Sequence, residues 1–592
     1  MQKIWTLLPE PPRVFLEEHP ELPRPVAALL YNRGLQTQSQ IDEFLNPDYS
    51  QDVHDPFLFQ DMRKTVERIF QAFEQKEHIT IHGDYDADGV SGSVILHQIF
   101  KALGHERFDV FLPHRESDGY GLNMNTIELL HKQGTTLIIT CDCGISNKPE
   151  IERARELGMD VIVTDHHSIP VELPPAFAII HPKIPGEPYP DKNLAGGAVA
   201  FKLMQALLKH HAESHENLSD GQSHEGFEKW QLDMVALSSV ADMVPLIGES
   251  RTLTKYGLIV MNKAKRVGMR KLLEEIGLME GDGKIKREID AHTIGFHIAP
   301  RINAAGRVNH ANVGYKLFVA EKATDAVDLA FELEQNNNER REMTELFVKE
   351  AIEQVKKMDS EKSPVLFVLG KEWSSGVVGL IASRIKERYE KPTIAMTYNK
   401  GELMGSGRSI EEFNMIKALQ SMPELFGKFG GHPMACGFTL VDPNKLDIFK
   451  KRLTALSTEE TKNTDKGPRL DIDAKISLEE VTWEFYDILK DFKPFGMGNP
   501  EPKYLAEGLT VHRLEPIGKD SKHLRILVKH NSQVIRKTIG WHLCNENAGD
   551  GKDWSKELKP GEKIDMVFEV GINEWNGNRE LQLTIVDLRK TG

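Results

Sequence analysis

A chain of 592 residues, 40% hydrophobic and 28% charged, has the composition of a soluble protein. At roughly 100–200 residues per domain it predicts three or more domains. No run approaches the roughly 18 apolar residues of a membrane span, and the first twelve residues lack the apolar core of a secretory signal. The net charge of −15 argues against a protein that coats nucleic acid non-specifically, because phosphate neutralisation needs clustered Lys and Arg. It leaves room for a nuclease: metal-holding carboxylates add negative charge, and a local basic channel can coexist with an acidic exterior. Cys141, Cys143, Cys436 and Cys544 are too few and too scattered for a disulfide framework or a four-thiolate zinc site. The reducing cytoplasm is the expected location, and no membrane contact is expected.

Residues 1–60 read as an N-terminal helical adaptor, with short helical apolar spacing at 25–30 and 41–45. Residues 61–310 form the largest expected domain. Helix-like runs at 62–75, 90–103, 125–133, 149–157 and 196–211 alternate with strand-like runs at 78–83, 108–112, 136–140, 161–164 and 177–181. This predicts an α/β fold with a parallel sheet covered on both faces. In such sheets functional side chains gather beyond the carboxyl ends of the strands. The polar clusters fall there: His82-Gly-Asp84-Tyr-Asp86-Ala-Asp88-Gly89 after one strand, Asp142 after the next, Asp165-His166-His167 after a third.

Residues 212–230 are polar with scattered histidines and read as a surface loop, a His-rich metal tract being the alternative. The apolar run at 232–240 ends near Asp242, which in isolation would be a helix cap. At 297–308, Arg301 and Arg307 flank a small-residue stretch, read as a turn able to approach a phosphate closely. Residues 311–360 predict a charged, solvated helical connector. A second α/β domain is expected over 361–460. Ser374 and Ser375 precede its first helix, where free N–H groups favour an anion. The stretches at 405–409, with Arg408, and 430–432, with His432, read as glycine-rich turns, either structural or contacting phosphate.

Residues 461–467 read as a polar linker. Beyond them, 468–592 change to short strands at 509–513, 523–529, 532–539, 563–570 and 579–587, with Asn576-Gly577 as a hairpin signal. Five strands predict an OB-type β-barrel, a fold that grips single strands through basic and aromatic side chains. Lys522, His523, Arg525, Lys529, Arg536, Lys537 and Trp541 are the candidates, against a merely solvated barrel face.

Hard divalent cations prefer carboxylate oxygens, and Mn²⁺ also accepts imidazole. Asp86 and Asp88, two residues apart in an extended turn, can each reach one ion of a pair. Asp142 on a neighbouring strand suits a bridging position, and His166 with Asp242 would complete the second site. Two such ions, Mn²⁺ or Mg²⁺, support in-line displacement at phosphorus. No Ser-His-Asp elbow, Walker loop or dinucleotide fingerprint competes.

Taken together the motifs resemble those of the DHH phosphoesterase superfamily, and within it the RecJ family. The resemblance rests on Asp84-Tyr-Asp86-Ala-Asp88-Gly89, Thr140-Cys-Asp142-Cys-Gly144, Asp165-His166-His167, Val240-Ala-Asp242-Met-Val-Pro245, Pro300-Arg301 to Arg307, Gly430-Gly431-His432 and Pro494 to Pro500, in order along nearly the whole chain. Cys143 departs from the family's usual Asn. The resemblance implies a DHH domain over 61–310, a DHHA1 domain over 361–460 and an OB domain over 468–592. It implies a single-strand-specific 5′→3′ DNA exonuclease of recombination and repair that releases 5′-mononucleotides with two divalent ions. Asp86, Asp88, Asp142, His166 and Asp242 are then metal ligands, with His82 a further candidate. Asp84 and Asp165 orient them, and His167 contacts the scissile phosphate. Arg115, Arg301, Ser374, Ser375 and Arg408 are candidates for substrate phosphate, and His432 clamps DNA from the second lobe. Single-strand-binding protein and a RecQ-type helicase are the implied partners of a monomer. Two other readings compete: a phosphoesterase for small substrates such as oligoribonucleotides, cyclic dinucleotides or pyrophosphate, and a replication scaffold without activity.

Overall fold

The computed structural model describes residues 3–358, 363–462, 468–530, 534–545, 551–575 and 578–591. Two compact units divide the chain: Val53–Val244 with Thr252–Asp465, and Met1–Asp52 with Pro245–Arg251 and Lys466–Gly592.

The first unit begins with α1 (Met62–Glu74) and a sheet of five strands, β1 (His78–His82), β2 (Phe108–Phe111), β3 (Thr135–Thr140), β4 (Asp160–Thr164) and β5 (Ala178–Ile180). All neighbours are parallel, in the order β2-β1-β3-β4-β5. The inner strands are near-continuous apolar runs, and Ile79, Ile81, Leu137, Ile138, Ile139, Ile162 and Val163 are fully buried. Helices cover both faces, which leaves no solvated side for polar residues to alternate onto. The connecting helices include α2 (Ala87–Ala102), α3 (Met124–Lys132), α4 (Lys148–Glu156) and α5 (Gly196–Ala212), followed by α6 (His224–Trp230) and α7 (Leu232–Ala241). From β1 the chain steps out to β2 and then crosses back over β1 to β3. The connections therefore diverge at the carboxyl ends of β1 and β3, which opens a crevice there.

The same unit continues through α8 (Ala299–Val308) and the 35-residue α9 (Ala323–Lys357) to a second sheet. That sheet comprises β6 (Leu366–Gly370), β7 (Thr393–Asn399), β8 (Glu402–Arg408), β9 (Phe426–His432) and β10 (Ala435–Leu440), in the order β9-β10-β8-β7-β6. Helix α10 (Ser375–Tyr389) joins β6 to β7. Two local expectations are corrected. The stretch with Arg301 and Arg307 is a helix, not a turn, because Pro300 sits at its first turn and alanines fill its middle. The glycine-rich stretches at 405–409 and 430–432 lie largely in β8 and β9, which both pair with β10, and not in turns.

The second unit holds the barrel: β11 (Tyr504–Ile517), β12 (His523–Lys529), β13 (Ile535–Gly540), β14 (Lys563–Trp575) and β15 (Asn578–Lys590). Their order is β11-β12-β13-β15-β14, and β14 pairs back onto β11 to close the sheet. Most of the predicted linker (463–467), the start of the predicted strand at 532 and the Asn576-Gly577 turn lie outside the described residues. The N-terminal segment is part of this unit rather than a separate adaptor. Ile4–Leu7 pairs in parallel with Arg469–Ile472, and Val26, Leu29, Leu30, Ile41 and Phe44 share one core with the barrel's Leu524, Ile526 and Phe568. Buried Arg251 ties the unit together, donating to the carbonyls of Phe44 (3.0 Å), Asp491 (2.7 Å) and Lys493 (2.9 Å).

Helix α2 is buried from Ala87 to Leu96, and apart from Asp88 its residues there are apolar or small, as an enclosed stretch of helix must be. A Cβ on its Gly92 would lie 2.1 Å from Cys141 Sγ and 3.2 Å from Gly197 Cα of α5. Gly92→Ala therefore drives α2 against Cys141 at the end of β3 and crowds the first turns of α5. A loss of about 1–3 kcal/mol, seen as a lower melting temperature together with weaker Mn²⁺ binding, is the expected outcome. An unchanged melt would show that the helices have slack.

Candidate metal centre

Asp86 caps α2: its Oδ1 accepts from the N–H groups of Asp88 (3.0 Å) and Gly89 (3.2 Å). The cap turns Asp88 inward from the first turn of α2, where three donors hold it. Gly196 N–H reaches Oδ2 at 2.8 Å, and Gly197 N–H and Ser238 Oγ reach Oδ1 at 2.7 and 2.5 Å. Asp142, just past β3, has a left-handed φ of +63°. A Cβ on Gly196 would lie 2.5 Å from Asp142 Cβ, so the start of α5 and the tip of β3 approach only because residue 196 has no side chain. Asp242 caps the C-terminus of α7.

These elements converge on His166. Its Nε2 lies 3.2 Å from Asp142 Oδ1, 3.5 Å from Asp242 Oδ2 and 3.6 Å from Asp88 Oδ2. Three groups of possible ligand atoms, each within 4.8 Å of one another, adjoin: Asp88-His166-Asp242, Asp142-His166-His167 and Asp84-Asp86-Asp142. Asp142 belongs to two of them, the placement a bridging carboxylate needs. Asp165 makes no such approach. Its Oδ1 accepts from the backbone N–H groups of His166 (2.7 Å) and His167 (3.1 Å) and from His167 Nδ1 (2.8 Å), and its Oδ2 from Ile145 N–H (3.0 Å).

The electrostatics call for positive charge. Burial, then Asp88 and Asp86, pushes the Asp142 carboxyl well above its ordinary range. Burial and Asp86 do the same to Asp84, and burial with Asp88 and Asp86 pushes Asp242 up to about 8. Burial opposes a charge on His167, but its hydrogen bond and attraction to Asp165 raise it to about 9. Burial lowers His166 to about 4, leaving a neutral imidazole. Asp142 Oδ1, Asp84 Oδ1 and both ring nitrogens of His166 are buried without a hydrogen-bond partner among the described residues. Unsatisfied buried carboxylate oxygens beside a neutral imidazole are costly alone and are the donor set of a divalent cation. The residues fit the ions.

His82 stands apart. Its ring lies 5.2 Å from that of Phe111, its Nδ1 is 3.8 Å from Cys143 Sγ, and it belongs to none of the three groups. The candidate phosphate contacts divide similarly. Arg115 stacks 3.9 Å over the Tyr85 ring, and its buried Nε has no partner among the described residues. Arg301 is committed elsewhere, donating to Glu334 (2.5 Å) and to the His297 carbonyl (2.6 Å). Arg307 lies six residues further along α8. It donates to the Gly376 carbonyl at 2.8 Å, and burial with repulsion from Arg115, Arg408 and Arg340 lowers it to about 9. Ser374 caps α10, and Ser375 Oγ donates to Glu116 at 2.9 Å across the two sheets' domains. Arg408 donates to Ser406 Oγ and the Gly407 carbonyl. His432 ends β9, where burial, His167 and Lys183 disfavour its cation.

Sequence reasoning missed Gly196, Gly197, Ser238 and Tyr120. The tandem glycines opening a helix were the signal for the first two. Tyr120 OH donates to the Asp142 carbonyl (3.1 Å) and lies 3.0 Å from His167 Nδ1, contacts that no local pattern announces. In the barrel, Trp541 is 53% exposed and meets His523 edge-on at 4.9 Å. Lys522, Arg525 and Lys537 are paired with Asp520, Glu515 and Glu580, and Arg536 is tied to the carbonyls of Leu478 and Val481.

Residues 78–237 match the DHH family N-terminal domain, 362–459 the DHHA1 domain and 472–587 the RecJ OB domain. The chain is 36% identical over 565 residues to the single-stranded-DNA-specific exonuclease RecJ of Bacillus subtilis (strain 168), covering 95% of this chain and 67% of that protein. The chain belongs to the RecJ family. Its fold matches the crystal structure of Thermus thermophilus RecJ in complex with Mn²⁺ at a TM-score of 0.80 and 27% identity, over 99% of this chain and 80% of that one. The Mg²⁺ complex of the same protein matches at 0.75 and 26%, over 99% and 78%. A RecJ-family chain with this donor set is a metal-dependent phosphodiesterase.

The raised Asp242 carboxyl sets a pH dependence. Its folded value, about 8, lies above the ordinary 3.8, so its contribution to stability is complete at low pH and is lost as pH rises through 8. The metal-free protein is expected to melt at a higher temperature at pH 6.5 than at pH 9. The difference should shrink in Asp242→Asn and under saturating Mn²⁺. Equal pH dependence in the variant would remove Asp242 as its source.

Proposed function

We propose that this chain degrades single-stranded DNA from the 5′ end, releasing 5′-mononucleotides by two-metal-ion hydrolysis in recombination and repair. The observation that carries the reading is the sharing of Asp142 between adjoining donor groups, with His166 Nε2 within 3.6 Å of three carboxylates. Two divalent ions, Mn²⁺ or Mg²⁺, supply a polarised water and charge stabilisation for the leaving oxygen when bound there. Asp86, Asp88, Asp142, His166 and Asp242 would hold them. Asp84 supports the first pair of carboxylates, and the glycine N–H groups with Ser238 fix Asp88.

The chain's own part of the chemistry is orientation and charge. Asp165 locks His167 as an imidazolium at neutral pH, able to hold a non-bridging oxygen of the scissile phosphate. Arg115, Arg307 and Arg408, with Ser374 at the head of α10, form a cationic end stop that suits a terminal 5′-phosphate. A strand seated by its terminal phosphate presents its first internucleotide bond to the carboxylates, which gives polarity and mononucleotide product. Arg301 serves α8 and α9 instead. His432 would press on the strand from β9, and Trp541 and His523 offer a stacking surface on the barrel. The reading includes a monomeric, cytoplasmic enzyme working with single-strand-binding protein and a RecQ-type helicase. Among the described residues no helix is long and apolar enough to cross a membrane.

Asp142→Ala removes the shared ligand and is expected to lower hydrolysis by at least about 10³-fold; retained Mn²⁺-dependent turnover would sink the ligand assignment. End-labelled 5′-phosphorylated single strands should be shortened one nucleotide at a time, in preference to dinucleotides and duplex. A preference for dinucleotides would favour the small-substrate reading. Arg115→Ala should raise KM for 5′-phosphorylated strands about tenfold or more and erase their advantage over 5′-hydroxyl strands. A loss confined to kcat would place Arg115 elsewhere.

A further inference from the structure

We propose that a cavity at the C-terminal end of α2 binds a nucleoside 5′-phosphate, with its base on Trp230 and its phosphate on Lys263 and Lys265. The cavity measures about 360 Å³, within the range that encloses a small organic ligand and enough for one nucleotide. Its apolar lining is Phe227 and Trp230 of α6 together with Met261 and Met269. The two methionines come from successive helices, Gly248–Asn262 and Val267–Glu275. Gln98 and Lys101 of α2 complete the lining on another side.

Between those two helices the chain turns tightly, with Ala264 at a left-handed φ of +43°. The turn brings two lysines over one indole. Lys265 Nζ lies 4.2 Å and Lys263 Nζ 5.5 Å from the Trp230 ring centroid. Both lysines are exposed, and neither has an acidic partner among the described residues. A cation over an exposed ring is weakly held. An incoming phosphate draws the two ammonium groups into charge-assisted hydrogen bonds. That movement bares the indole face, and a base stacks on the face so freed. The two ends of one ligand therefore help each other to bind.

The other charges around the cavity are already matched. Arg266 donates to Asp233 Oδ2 and Oδ1 at 2.8 and 3.0 Å and to Gln231 Oε1 at 2.9 Å. Lys101 pairs with Glu321. Of the lining carboxylates only Asp220 lacks a cation; it accepts from the backbone N–H and the side-chain amide of Gln222, at 3.0 and 2.7 Å. Lys263 and Lys265 are the positive charge left over. The Gln98 amide and the Trp230 indole N–H make no hydrogen bond among the described residues. An amide offers a donor and an acceptor side by side, which suits the edge of a base. The site is separate from the hydrolytic centre: the thirteen residues from Asp88 to Lys101 are about 20 Å of helix.

The test is calorimetric titration of metal-stripped full-length protein with AMP and with adenosine. Wild type is compared with Lys263→Glu/Lys265→Glu and with Trp230→Leu. Melting temperatures and Mn²⁺-dependent hydrolysis rates should be the same in all three, which checks that the variants fold. Wild type should bind AMP more tightly than about 1 mM. The lysine variant should bind AMP at least tenfold more weakly and adenosine no more weakly. Trp230→Leu should weaken both ligands by a similar factor. Equal AMP affinity in wild type and the lysine variant would place the nucleotide elsewhere and overturn the proposal. So would a lysine variant that loses affinity for a single-stranded oligonucleotide but not for AMP, which would make the cavity part of a strand's path.

Discussion

Five carboxylates gathered in one crevice, three of them within 3.6 Å of one imidazole nitrogen, are the constraint around which this structure is built. Asp84, Asp86, Asp88, Asp142 and Asp242 repel one another in a largely buried crevice, and burial removes the water that would screen them. Nothing about that arrangement is favourable on its own. It persists because rigid elements hold each member: a capped helix start for Asp86, two glycine amides and a serine for Asp88, a left-handed turn for Asp142. Cations then turn the crowding into binding energy, since every repulsion that raises a carboxylate's proton affinity also raises its affinity for a divalent ion.

The parallel sheet supplies the geometry. Strand order β2-β1-β3-β4-β5 puts the loops after β1, β3 and β4 side by side, and those three loops carry seven of the polar residues. This much was legible in the sequence. Buried parallel strands read as continuous apolar runs, and polar clusters directly after them stand out by contrast. The closed five-strand barrel was legible for the same reason, from short alternating segments between turn residues.

What was not legible depended on where side chains point rather than on which elements form. Arg301 and Arg307 both face a small-residue stretch in the sequence. As a helix, that stretch sends one toward Glu334 of α9 and the other toward Gly376 of α10. His82 has a ligand's identity and place at a strand end; its ring lies beside Phe111 and Cys143, outside the three donor groups, with Nε2 buried and unpartnered among the described residues. The N-terminal segment looked like an adaptor because nothing local shows that residues 4–7 pair with residues 469–472. Each case is a contact distant in sequence, and spacing carries no information about those.

A second cluster of like charge, Arg115, Arg307, Arg340 and Arg408, adjoins the carboxylates, and the two answer each other. Arg115 favours the charged forms of Asp84 and Asp86, while Asp86 in turn favours the charge on Arg307. Each cluster is repulsive within itself and attractive toward the other, but the pairing is incomplete: Arg307 and Arg408 stay below their ordinary proton affinity, and Asp84, Asp86 and Asp242 stay above theirs. The unmet charge has a definite pattern, cations wanted at the strand ends and anions wanted between the two domains of the unit. A nucleic-acid terminus carrying its phosphate and accompanied by divalent ions has that pattern. Under the proposed reading, substrate and metal would relieve opposite halves of that electrostatic strain, so that binding of either would lower the cost of binding the other.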